Sequence, residues 1–174
     1  MSIGGAVVLV GVIVLAVSAS RSNATGITKP DSFVLPQLGG SGKVKLASYR
    51  GTPVVVNFFA SWCPNCAGEL PIFASDAKKL RGKVDFIEVD TQETGDGLAF
   101  ADKFHLSGSV SAVAADVDGS PASGLYQALG GTGTMPLTAF YSAQGAVLTT
   151  HVGRYYASDL ASQLQQLYGV TVPS

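Results

Sequence analysis

Apolar and polar positions divide the chain into three stretches. Ser2 to Ser20 carries no charged side chain, and Ile3 to Ala19 is almost wholly apolar. Ser18 to Lys29 is rich in Ser, Thr, Asn and Gly and reads as a flexible linker. From Pro30 onward short apolar runs alternate with turn residues, the pattern of a folded domain. The expected division is therefore a leader over 1–20, a linker over 21–29 and one domain over 30–174.

Within the domain, Ser32–Leu38 and Lys43–Leu46 read as short strands around the turn Gly39-Gly40-Ser41-Gly42, a hairpin signal. Ala47–Gly51 is a turn. Pro53–Phe59 is a continuous apolar run broken only by Asn57, which predicts a central strand buried on both faces. A helix follows over Ala67–Leu80, with Pro71 inside it expected to cause a kink. Val84–Asp90 alternates as a strand with Val, Phe, Ile and Val inward. Asp96–Phe104 predicts a helix with a Leu98, Ala101, Phe104 stripe, and Val110–Val117 a further strand. Asp118-Gly119-Ser120-Pro121 is a turn and Ala122–Leu129 a short helix. Strands over Leu137–Tyr141 and Ala146–Val152 flank the turn Ala143-Gln144-Gly145. A final helix opens at Ser158, shows Leu160, Leu164 and Leu167 on one face, and ends at Gly169.

Composition alters this picture at two points. The net charge is −1 and charged residues make up 13% of the chain. No basic face is visible, which argues against nucleic acid as a partner. The 47% hydrophobic content is inflated by the leader and overstates the core. The leader is near the lower limit of a membrane span and long for a signal-peptide core. Val17-Ser18-Ala19 offers small residues for cleavage. A basic start is missing, and the first basic residue, Arg21, follows the apolar run, which argues weakly for an outward N-terminus. An uncleaved anchor is favoured over a cleaved peptide. One arginine is a small bias and is set aside, so either leader is expected to put the domain on the extracytoplasmic side of the cell membrane, or to secrete it if the leader is cut. Asn23-Ala24-Thr25 matches a glycosylation sequon, a pattern common by chance.

The candidate chemistry lies in Trp62-Cys63-Pro64-Asn65-Cys66, which holds the chain's 2 cysteines. A C-x-x-C at a strand-to-helix junction points to a dithiol that cycles to a disulfide. If Cys63 caps the helix and Cys66 lies in its first turn, both sulfurs face the same side. The free N–H groups and partial positive charge of the helix N-terminus favour thiolate at Cys63, lowering its pKa from about 8.5 toward about 7 or below. Pro64 fits the first helical position, where a missing N–H costs nothing. Zinc would need further ligands, and His105 and His151 stand alone. A structural disulfide closing so short a loop would stabilise little. A peroxidase of this kind would need a lone reactive cysteine in its own motif. No flavin or nicotinamide motif appears, so no cofactor is expected.

The element order is a β-hairpin, then βαβ, then α, then a second hairpin and a last helix. This is a thioredoxin-like α/β fold with an N-terminal β-hairpin and an inserted helix-strand segment. The chain resembles the TlpA/ResA/CcmG-like group of membrane-tethered or exported thioredoxin-fold proteins over about Lys29 to Tyr168. The resemblance is carried by Pro30-Asp31-Ser32-Phe33-Val34-Leu35, Leu46-Ala47-Ser48-Tyr49-Arg50-Gly51, and Val54 through Cys63. It continues in Cys66-Ala67-Gly68-Glu69-Leu70-Pro71, Thr134-Met135-Pro136-Leu137-Thr138-Ala139-Phe140, and Gly153-Arg154.

That resemblance implies site roles. Cys63 attacks a disulfide and Cys66 resolves the mixed disulfide. Pro136 corresponds to the family's cis-proline beside the cysteines, with Met135 flanking the substrate groove and Trp62 at its edge; Pro64 and Asn65 face substrate between the cysteines. Glu69 corresponds to an acidic residue near the dithiol, able to raise thiol pKa values and relay a proton to or from Cys66. Asn57 stands where cytoplasmic thioredoxins carry a buried aspartate, which leaves Glu69 as the nearest candidate base. The histidine of strong oxidants such as DsbA is absent at Asn65, and Phe59 stands where tryptophan is frequent. The favoured activity is reduction of disulfide-containing protein substrates, with cytochrome c maturation as the setting and a membrane electron-donor thiol protein recharging the pair. The rivals are a disulfide-forming oxidant and a copper-carrying binding protein on the same fold.

Overall fold

The structure is a computed structural model that describes residues 29–116 and 124–174. The leader, most of the linker, its sequon and the expected turn over Asp118–Pro121 lie outside the described residues. Among the described residues no helix is long and apolar enough to cross a membrane.

A five-stranded mixed sheet organises the domain. Its strands are β3 (Val54–Phe59), β4 (Asp85–Thr91), β5 (Ala112–Asp116), β6 (Leu137–Tyr141) and β7 (Val147–Val152), in the order β5-β4-β3-β6-β7. β3 pairs parallel with β4 and antiparallel with β6. The crossover between β3 and β4 is helix α1 (Pro64–Lys79), the arrangement a parallel pair requires. Every residue of β3 is buried, as its unbroken apolar run predicts.

A small hairpin precedes the sheet, formed by β1 (Val34–Pro36) and β2 (Lys43–Lys45). Both strands are shorter than expected because a 3-10 turn over Pro30–Ser32 occupies the start of the first and another over Leu46–Tyr49 follows the second. The hairpin lies against β5 through a Gln37–Ala114 bridge and a Leu38 N–H donated to the Val113 carbonyl at 3.0 Å. Phe33, Leu35, Val44 and Leu46 join the main core.

Expectations change at several elements. β4 does not alternate between inward and outward residues: all of it after Asp85 is buried, because β3 and β5 flank it and helices cover the sheet. Helix α2 (Gly97–Lys103) turns Gly97 and Ala101 inward with Phe100 and Phe104 packed beside them, whereas Leu98 is exposed and leans over Gly39. Helix α1 runs through Pro71 without interruption. The short helix α3 (Leu125–Ala128) begins after Gly124 and ends before Leu129, and the first two residues of its predicted span lie outside the described residues. The last helix, α4 (Ala157–Tyr168), buries Leu160 and Leu164 as its stripe predicts, and ends at Gly169 with a φ of 67°, left-handed backbone that glycine adopts without strain.

Candidate active site

Cys63 and Cys66 form a disulfide with S–S 2.09 Å and Cα atoms 5.3 Å apart. The pair sits where β3 ends and α1 begins. Cys63 is the N-cap of α1, in extended backbone, and its sulfur accepts the Cys66 N–H at 3.1 Å. Pro64 opens the helix and lacks only a donor that has no partner there. Both cysteines are buried, while Pro64, Asn65 and Trp62 are exposed; the indole of Trp62 shows 45% of its surface. The Met135–Pro136 peptide is cis, Met135 is buried, and the Pro136 carbonyl accepts the Gly153 N–H at 2.9 Å.

A buried polar row crosses the sheet. Glu88 of β4, Asn57 of β3 and Thr138 of β6 are register partners, so their side chains share one face. The Asn57 amide donates to Glu88 Oε2 at 3.1 Å, and the Thr138 hydroxyl donates to Asn57 Oδ1 at 3.0 Å. Glu69 comes down onto this row from α1. Its Oε2 accepts the Tyr155 N–H at 2.9 Å, while Glu69 Oε1 and Glu88 Oε1 have no partner among the described residues. Both carboxyls are fully buried.

Burial dominates their electrostatics. It pushes Glu69 up to about 7, against the opposing pull of the Tyr155 N–H, the Asn57 amide and the Arg154 guanidinium. Burial pushes Glu88 well above the usual carboxylate range, and the neighbouring Glu69 pushes it the same way. Two carboxyls this close and this dry do not ionise together easily, so the pair retains a proton near neutrality.

Glu69 is a candidate from the sequence and Glu88 is not. Only Val, Phe, Ile and Val of this strand are read as inward, yet Glu88, two residues after the buried Phe86, shares its face. His105 lies at a turn with φ 54°; His151 is the β7 register partner of Thr138, and its exposed ring packs on Tyr155 with centroids 4.4 Å apart. Among the described residues no group of three or more His, Cys, Asp or Glu side chains is placed to hold a metal ion.

A C-x-x-C pair capping the first helix of a thioredoxin-like sheet, together with a cis-proline just before β6, defines a thiol–disulfide oxidoreductase. Residues 27–173 match the AhpC/TSA family, and the chain belongs to that family. It is 28% identical over 137 residues to the thiol-disulfide oxidoreductase ResA of Bacillus thuringiensis, covering 78% of this chain and 75% of that one. A thioredoxin of Borreliella burgdorferi is 40% identical over a shorter segment, 50 residues, which spans 28% of this chain and 43% of the relative. Among solved structures, a putative thiol:disulfide interchange protein DsbE from Chlorobium tepidum superposes with a TM-score of 0.62 at 30% identity, covering 80% of this chain and 94% of that one.

Proposed function

We propose that this oxidoreductase works as a reductant of protein disulfides outside the cytoplasm. The observation that carries the direction is the buried acidic pair, Glu69, one helical turn after Cys66 on α1, and Glu88, which faces it. Strong oxidants owe their potential to a stabilised reduced form. Negative charge near the thiols works against that stabilisation by raising thiol pKa values. The likeness to ResA supports the same reading.

The cycle needs two electrons and two protons. The Cys63 thiolate attacks one sulfur of the substrate disulfide, forming a mixed disulfide and releasing one substrate thiolate. Cys66, deprotonated, then attacks the Cys63 sulfur. The internal disulfide forms and the second substrate sulfur leaves as thiolate. Glu69 takes the Cys66 proton, which a carboxylate titrating near 7 can both accept and return at neutral pH. The two substrate thiolates are protonated from solvent. Met135, Pro136 and the exposed face of Trp62 form the docking edge, with Pro64 and Asn65 between the cysteines. A membrane thiol protein returns the electrons, the apolar leader anchors the domain, and the substrate class includes a haem-attachment C-x-x-C-H that must stay reduced.

Equilibration with glutathione or dithiothreitol buffers tests the direction. The expected midpoint lies near thioredoxin's value of about −270 mV; a value near DsbA's, about −120 mV, would make disulfide formation the function instead.

A further inference from the structure

Four hydrogen bonds converge on one carboxylate beside the active-site loop. Glu93 follows β4 and reaches back to the residues just before Cys63. Its Oε2 accepts the Ser61 N–H at 2.7 Å, and its Oε1 accepts the Ser61 hydroxyl at 2.6 Å, the Thr94 N–H at 2.8 Å and the Gly95 N–H at 2.6 Å. The preceding residue, Gln92, adopts a left-handed φ of 51°, uncommon for a residue with a side chain. Its carbonyl accepts the Trp62 indole N–H at 2.9 Å. The loop is tight: a Cβ at Gly95 would lie 2.8 Å from the Ser61 hydroxyl oxygen.

We propose that Glu93 is a positioning residue that, through Ser61 and the Gln92 carbonyl, locks Trp62 into a preset platform for protein substrates. An exposed aromatic side chain beside a loop is ordinarily free to change rotamer, and ordering it on binding costs affinity. Here the indole N–H is bonded to the Gln92 carbonyl while the residue keeps 45% of its surface exposed. The ordering is therefore complete before a substrate arrives. Charge-assisted bonds of this length are the strong kind, which suits a carboxylate rather than a neutral acceptor at position 93. The inference rests on thiol–disulfide exchange at Cys63–Cys66 with protein substrates, as proposed above.

Trp62 is the chain's 1 tryptophan, so its fluorescence reports the platform directly. The test compares the wild type with Glu93→Ala, Glu93→Gln and Gly95→Ala, by time-resolved anisotropy and by exchange with insulin and with oxidised glutathione. In Glu93→Ala the indole should depolarise faster. KM for insulin should rise about three- to tenfold, the range expected for ordering one side chain, and more than any loss with glutathione, a substrate too small to span the platform. Gln keeps one acceptor oxygen and should fall between. Gly95→Ala keeps the carboxylate, displaces the Ser61 hydroxyl and should move in the same direction, which guards against a variant that fails to fold. Unchanged anisotropy and KM in both Glu93→Ala and Gly95→Ala would overturn the proposal, and so would equal losses with insulin and glutathione. A wild type inert toward both disulfides would instead overturn the function, a failure distinguishable from either of these.

Discussion

Glu69, Glu88 and Asp90 keep three carboxyl groups out of water, and all three are held above their ordinary range. For Asp90 the causes are burial first, then the nearby Glu93 and Asp96, which bring it to about 7. The consequence for stability runs opposite to that of a salt-bridged carboxylate. Between the ordinary carboxylate value and about 7 the folded chain keeps protons that the unfolded chain has lost. Stability therefore falls as pH rises through that window and changes little from Glu69 and Asp90 above it. Glu69 alone, raised from 4.5 to about 7, corresponds to about 3 kcal/mol across the window. Urea unfolding at pH 5 and pH 7.5 should show higher stability at the acid end. Glu69→Gln should remove a large part of the difference; an unchanged pH slope would mean that Glu69 ionises normally. The same variant should lose an inflection near pH 7 in the rate at which Cys66 resolves the mixed disulfide, since a neutral amide takes up no proton.

Between β7 and α4, the short segment Gly153–Tyr155 clamps α1 from the side. The Arg154 guanidinium donates to the Gly68 carbonyl at 2.9 Å, and the Tyr155 N–H donates to Glu69. Gly68 leaves room for that guanidinium: a Cβ there would meet Arg154 Cζ. An alanine in a helix interior usually stabilises by about 1 kcal/mol over glycine. In Gly68→Ala that gain should be cancelled or reversed, because the guanidinium must leave. Arg154 lowers the Glu69 pKa, so its displacement should carry the Glu69 carboxyl titration, followed by carbon-13 NMR, above its wild-type midpoint. A titration that stays in place would show that Arg154 has no electrostatic hold on the site. Elements of this kind were only partly legible in the sequence. Gly153 and Arg154 stood out as part of a family resemblance, but nothing in their spacing reveals that they close on α1. The capped start of α1 was legible because caps, Pro at the first turn and the C-x-x-C spacing are local features. Glu88 and the Glu93 loop were not, because their environment comes from strand order and from the backbone turn at Gln92.

At the scale of the molecule, the N-terminal hairpin belongs to the core rather than decorating it. Phe33 is 1% exposed and meets the Tyr141 ring edge-on at 6.1 Å. Phe33→Ala should cost about 3–5 kcal/mol, as for a central core aromatic, with a single unfolding transition retained. A loss below about 1 kcal/mol, or two transitions, would mark the hairpin as a separate unit. The alternation of apolar runs and turns made the order of strands and helices legible. Which edge of the sheet receives the hairpin was not, since that choice depends on long-range pairing.

That choice leaves the two rims of the sheet unequal. On the β5 side the hairpin occupies backbone groups at Gln37 and Leu38. On the other side β7 has no neighbour beyond it among the described residues, and Val147, Leu148 and Val152 are exposed along it. A sheet with two open rims can add copies without limit, the geometry that leads to fibres. With backbone groups on the β5 rim engaged by the hairpin, the β7 rim, with its exposed apolar side chains, is the one left to receive a further strand.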